Sequence, residues 1–152
     1  MDMRINRAEY AIPPSAKENM MAHKRYFISE SEVTPYSPAN HDETVNRRLI
    51  GPETVGAKHV EVVLGTVGGP LGGPGGGALA HKHPGIEQVC YMLSGRARAE
   101  IDGQVRELGP GDTCFFPADM VHVFTRISEE PVRVLVIYSP PYGESKDKGI
   151  AA

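Results

Sequence analysis

His81 and His83 stand two residues apart behind a glycine-rich run, and a third histidine, His122, ends a second segment far along the chain. The first segment reads Gly75-Gly-Gly-Ala-Leu-Ala-His81-Lys-His83-Pro84-Gly85-Ile86-Glu87-Gln88 and continues to Gly95. The second reads Gly111-Asp-Thr-Cys-Phe-Phe-Pro117-Ala-Asp-Met-Val-His122. On a strand, residues two apart face the same side, so His81 and His83 offer two imidazoles to one ion. His122 joins them only if the chain folds back through strands and short turns. That requirement selects a small β-barrel over a bundle of helices.

The rest of the chain agrees. Seventeen Gly and thirteen Pro in 152 residues interrupt the chain too often for long helices. The β-branched runs between them predict strands over residues 45–50, 60–67, 89–93, 96–101, 105–108, 114–116, 121–126 and 132–138. Asp102-Gly103 is a hairpin turn signal between two of these. Residues 25–28 read as a further edge strand, and residues 15–23 as a short helix after Pro13-Pro14. The run from Gly68 to Gly77 lacks the Gly-Lys-Ser/Thr ending of a phosphate loop and a following helix, and is expected to be a mobile loop at a barrel mouth. In the run His59-Val-Glu-Val-Val-Leu64, the preference of Val and Leu for the interior turns Val60, Val62 and Leu64 inward and leaves His59 and Glu61 in water.

Length bounds this to one domain with a real core. A net charge of -3 without a basic stripe argues against nucleic acid as a partner. No apolar run approaches the ~20 residues of a membrane helix, the first ten residues do not read as a secretory leader, and Cys90 and Cys114 are too few for a disulfide framework. A soluble, cytoplasmic protein is expected.

Singly, each histidine is an ordinary surface or core residue. Together, at these spacings, they ask for a shared ion. Three neutral imidazoles suit zinc, nickel, copper or iron better than magnesium or calcium. A fourth ligand is offered by Glu87 or Gln88, between which strand parity cannot decide because Pro84-Gly85 breaks the alternation.

The two segments resemble the paired motifs of the cupin superfamily, with His-x-His-x4-Gln in the first and a distal histidine in the second. The resemblance implies an all-β, double-stranded β-helix (jelly-roll) barrel over residues 41–140, an N-terminal extension over 1–40 and a flexible tail over 141–152. It also implies one divalent transition metal per chain (Zn, Ni, Fe, Mn or Cu) on His81, His83, Gln88 and His122. Gln88 is preferred over Glu87 because the cupin ligand stands six residues before the closing glycine, here Gly95. Departures are Asp119, where the family often has Gly, and Arg126, where it often has Asn. A homodimer is implied, with the N-terminal segment, including His41, shaping the barrel mouth.

If the ligands face inward, parity brings Cys90 and Met92 in with Gln88, and Met120, Phe124 and Arg126 in with His122. Such a pocket suits a small, anionic organic ligand. Arg126 either clamps a carboxylate or, at a strand end, reaches out to solvent, which is the preferred reading. The resulting expectation is a metal-dependent enzyme using Lewis-acid chemistry of isomerase, lyase or decarboxylase type. An Fe- or Cu-dependent dioxygenase and a non-catalytic ligand-binding or sensor barrel are the alternatives.

Overall fold

In the computed structural model, which describes residues 25–68 and 75–143, the chain forms ten strands and a single 3-10 turn (Glu30–Glu32). The strands are β1 (His41–Asp42), β2 (Thr44–Ile50), β3 (Glu61–Val67), β4 (Gly77–His81), β5 (Glu87–Ser94), β6 (Ala97–Ile101), β7 (Gln104–Leu108), β8 (Thr113–Phe116), β9 (His122–Arg126) and β10 (Val132–Ser139). They make two five-stranded antiparallel sheets, ordered β1-β4-β9-β6-β7 and β2-β3-β10-β5-β8. The architecture is the jelly roll expected. Among the described residues, no helix is long and apolar enough to cross a membrane.

Alternation builds the core from both sheets. Ala97 and Ala99 of β6, Phe124 of β9, Met92 of β5, Val63 and Val67 of β3, and Val134 and Val136 of β10 all point inward and are buried. Small Ala side chains on β6 leave room for Phe124, which pairs with Ala99 across the sheet. The Asp102-Gly103 turn joins β6 to β7 with both residues at positive φ, 49° and 70°, as a two-residue hairpin of matching twist requires. Gly77 is needed for a different reason: a Cβ there would collide with the carbonyl oxygen of Phe124 on the neighbouring strand.

Several expectations change. Residues 25–28 are not a strand, and Tyr26 and Phe27 are exposed. The proposed helix over 15–23 and most of the glycine-rich loop lie outside the described residues. In β3 the inward row is Glu61, Val63, Gly65 and Val67, so Glu61 is buried and Val60 is exposed, while His59 faces water. The run of apolar residues has no unique phase. A carboxylate takes the inner position because Arg48 Nε lies 3.2 Å away and the Gly143 N–H donates to it at 3.2 Å. Gly143 belongs to the segment after β10, where Tyr142 is also buried, so the chain does not become a free tail at residue 141.

Candidate metal centre

His81 ends β4 and His122 opens β9, and the two are directly paired in register. His83 follows two residues after His81, beyond the strand. Their three rings meet edge to face, with centroids 4.4 Å apart for His81–His122, 4.8 Å for His81–His83 and 5.2 Å for His83–His122. One nitrogen from each lies within 4.8 Å of the others, and all three residues are buried. Asp119 links the two segments. At φ 65° it occupies the turn before His122, its N–H donates to the His83 carbonyl at 3.1 Å, and its Oδ1 accepts from the Gly85 N–H at 3.2 Å. The departure at this position thus ties the two segments together.

Hydrogen bonds set the tautomers. His81 Nδ1 sits 2.5 Å from the Leu79 carbonyl and His122 Nδ1 sits 3.1 Å from the Met120 carbonyl. A carbonyl only accepts, so each Nδ1 carries the proton and each Nε2 presents its lone pair to the centre. Burial holds the His83 imidazole well below its ordinary pKa, at about 3, with His81 and His122 adding to the effect and Gln88, beside the ring, working against it. Burial likewise lowers His122 to about 4, with a further contribution from His81. The rings are therefore neutral at pH 7 and available as ligands.

Gln88 turns inward from β5 while Glu87 is exposed. The Gln88 amide is oriented by Cys90, whose sulfur accepts from Nε2 at 3.4 Å, and this leaves Oε1 as the free end. Gln88 Oε1, His83 Nδ1 and His122 Nε2 are buried without a hydrogen-bond partner. His81 Nε2 and His83 Nε2 face each other at 3.1 Å. Two ligands about 2.1 Å from one metal at right angles to each other stand about 3.0 Å apart, so this separation matches an edge of a coordination polyhedron. Unpaired buried acceptors are costly, and a cation is the partner these lone pairs share. The donor set fits a divalent transition metal.

Aromatic rings wall the cluster. Phe116 stacks on His122 at 4.1 Å with an interplanar angle of 6°, and Tyr142 and Tyr138 stand against His83 at 4.3 and 5.3 Å. His41, at the start of β1, lies 5.1 Å from His81 and donates or accepts at Nδ1 with the Ala39 carbonyl at 2.7 Å; since only donation is open toward a carbonyl, its Nε2 is the acceptor. A cavity adjoins the cluster, lined by His41, Gln88, Cys90, Phe124, Val136 and Tyr138 among others. Tyr138 and Tyr142 were missed in the sequence. Tyr138 has the right parity on the last strand, but nothing local marks Tyr142.

Of the expected pocket residues, Cys90 and Phe124 line this cavity. Met92 is fully buried in the core and Met120 is half-buried in the turn before β9. Arg126 departs from both expectations. It is 1% exposed, so it does not reach solvent, and it is not free to clamp a ligand. Its Nε donates to the Gly75 carbonyl at 2.9 Å, Nη1 to the carbonyls of Ser128 and Glu129 at 3.2 and 2.9 Å, and Nη2 to Glu43 at 3.2 Å. The loop carbonyls it meets come from segments no parity argument connects to it. Cys114 pairs with Cys90 across β5 and β8, and a hydrogen bond with Cys90 draws its thiol below the usual pKa despite burial.

A family model described as "Cupin domain" matches residues 73–138. A protein of Methanocaldococcus jannaschii is 30% identical over 111 residues, 73% of this chain and 83% of the relative. The chain belongs to the cupin superfamily. This cupin is also 32% identical to the polyketide synthase CurC of Streptomyces cyaneus over 94 residues, 62% of this chain and 58% of that protein. Among solved structures it is similar to the polyketide cyclase RemF from Streptomyces resistomycificus, with a TM-score of 0.64 at 24% identity over 78% of this chain and 82% of that one. At that identity the likeness is one of fold.

Proposed function

We propose that this cupin is a divalent-metal-dependent enzyme acting on a small oxygenated organic acid or keto compound by Lewis-acid chemistry of isomerase, lyase or decarboxylase type. The observation that carries the reading is the buried set His81, His83, His122 and Gln88, four neutral donors beside a cavity. An ion bound there supplies a Lewis acid that stabilises negative charge on a carbonyl oxygen, the shared demand of these reactions. With no carboxylate among its ligands it keeps its full charge, which favours an anionic or chelating oxygen ligand.

The chain's own residues would do the rest. Gln88, oriented by Cys90, and the three imidazoles hold the ion. Phe124, Val136 and the neighbouring apolar wall exclude water from the cavity, which strengthens every charge interaction within it. Arg126 is committed to the fold, so recognition of an anion falls to the metal. The sequence relative named as a polyketide synthase supports a carbonyl-rich substrate. Since this chain spans about 58% of that relative, the likeness is used only for the class of chemistry.

The test is metal analysis of protein purified without chelator, followed by solvent-deuterium exchange into small β-keto and α-keto acids, monitored by NMR. Metal-dependent exchange or decarboxylation that disappears in His122→Ala supports the reading. Turnover retained in that variant would sink it.

A homodimer is part of the same proposal. Tyr91, Leu93 and Phe115 are exposed on the outer face of β5 and β8, an apolar patch suited to a second copy. Light scattering should give twice the 16.5 kDa chain mass.

A further inference from the structure

Cys90 and Cys114 are both free thiols, and they sit directly opposite each other on the antiparallel strands β5 and β8. Residues so paired have Cα atoms roughly 4.5 to 5.5 Å apart, inside the range a disulfide spans. Their side chains share one face and are in hydrogen-bond contact. Cys90 is 2% exposed and lines the cavity, whereas Cys114 is partly accessible. Cys90 is also the acceptor that holds the Gln88 amide, with Oε1 left over as the unpaired end. A change at this sulfur therefore reaches the metal-facing amide through one hydrogen bond.

We propose that Cys90 and Cys114 form a reversible dithiol–disulfide pair in the barrel wall, a modification site whose oxidation releases Gln88 and weakens divalent-metal binding beside it. The coupling to metal rests on the proposed metal centre; the disulfide does not. With hydrogen peroxide as oxidant, the more accessible Cys114 sulfur attacks one peroxide oxygen. An S–O bond forms, the O–O bond breaks, and the departing hydroxide leaves as water. The Cys90 sulfur then attacks the sulfenic sulfur, forming S–S and breaking S–O, and a second water leaves. Two thiols lose two electrons and two protons, and peroxide is reduced to two waters. In the disulfide the Cys90 sulfur is turned toward Cys114 and no longer faces the Gln88 Nε2–H.

Metal-free protein is treated with one equivalent of hydrogen peroxide, alkylated with a maleimide under denaturing conditions and weighed intact, with a non-reducing peptide map. The expected result is joint loss of both thiols, a mass lower by two hydrogens and a linked Cys90–Cys114 peptide, all reversed by dithiothreitol. Survival of both thiols, oxidation of Cys114 alone to the sulfinic acid, or a cross-link between chains overturns the pair. The map of the wild-type protein decides this even if Cys114→Ser does not fold. Zn²⁺ titration against a chromophoric chelator then compares reduced and oxidised protein. Affinity about ten-fold weaker on oxidation is expected, the size typical for losing a partner that orients a ligand. Equal affinity overturns the coupling. If the reduced protein binds no Zn²⁺, the metal centre itself fails, while the thiol count still judges the disulfide.

Discussion

β9 carries two buried polar side chains on one face, four residues apart, and they have opposite fates. At Arg126 every direction of the guanidinium meets an acceptor: three loop carbonyls and the Glu43 carboxylate. At His122 the outer nitrogen is bonded to the Met120 carbonyl while the inner one, buried, has no hydrogen-bond partner. The same contrast separates Gln88, whose Oε1 is unpaired, from Glu61, which is held by Arg48 and Gly143. A buried group whose partners all come from the chain serves the fold. One left open, next to others left open, is arranged for something the chain does not contain.

The comparison breaks most readily at the histidines. His81→Ala with His83→Ala should lower Zn²⁺ affinity by more than about 100-fold, beyond what losing an orienting partner costs, while the metal-free protein keeps its melting temperature or gains slightly. Loss of fold instead would make the cluster structural, like Arg126. Conversely, Arg126→Met should destabilise the protein by about 3 kcal/mol, because it strands buried carbonyls. Chemical denaturation measures this, and the folded fraction should bind metal as before. A variant that is stable but loses activity would return Arg126 to the pocket.

Acid should separate the two ends further. His83 and His122 titrate at about 3 and 4 in the fold but near 6.5 in the unfolded chain, so between those values the unfolded state binds more protons. The metal-free protein should therefore lose stability as pH falls from about 6.5 toward 4, read as a falling melting temperature. A flat profile across that window would show the rings are not held neutral. The smallest expected effect is at Gln88. Gln88→Glu adds one negative charge to the donor set and should tighten Zn²⁺ about ten-fold, roughly the 1.4 kcal/mol of one modest charge interaction in a partly screened site. Unchanged affinity would remove residue 88 from the ligands.

Strands were legible wherever alternation and punctuation agreed, as in Ala97–Ile101 and the Asp102-Gly103 hairpin. The edge strand expected at 25–28 failed because a short apolar run does not fold as a strand without a partner to pair with. Glu61 was misread for a related reason. Burial of a carboxylate is decided by whether Arg48 and Gly143 arrive beside it, and neither is its neighbour in the chain. Arg126 was read by parity alone, which gives the face of a strand but not the acceptors waiting there.

By itself the sequence determined the chemistry on offer: strand-forming runs, the turn residues between them, and histidines at spacings that point them to one side. These follow from local rules, the two-residue period of a strand and the conformational limits of each residue. Only the tertiary structure decided which donors meet. It set His81 against His122, Tyr142 against His83, Cys90 against Cys114, and Arg126 against Gly75. Register and closure are collective properties of two sheets packing on one core, and no window of the chain contains them.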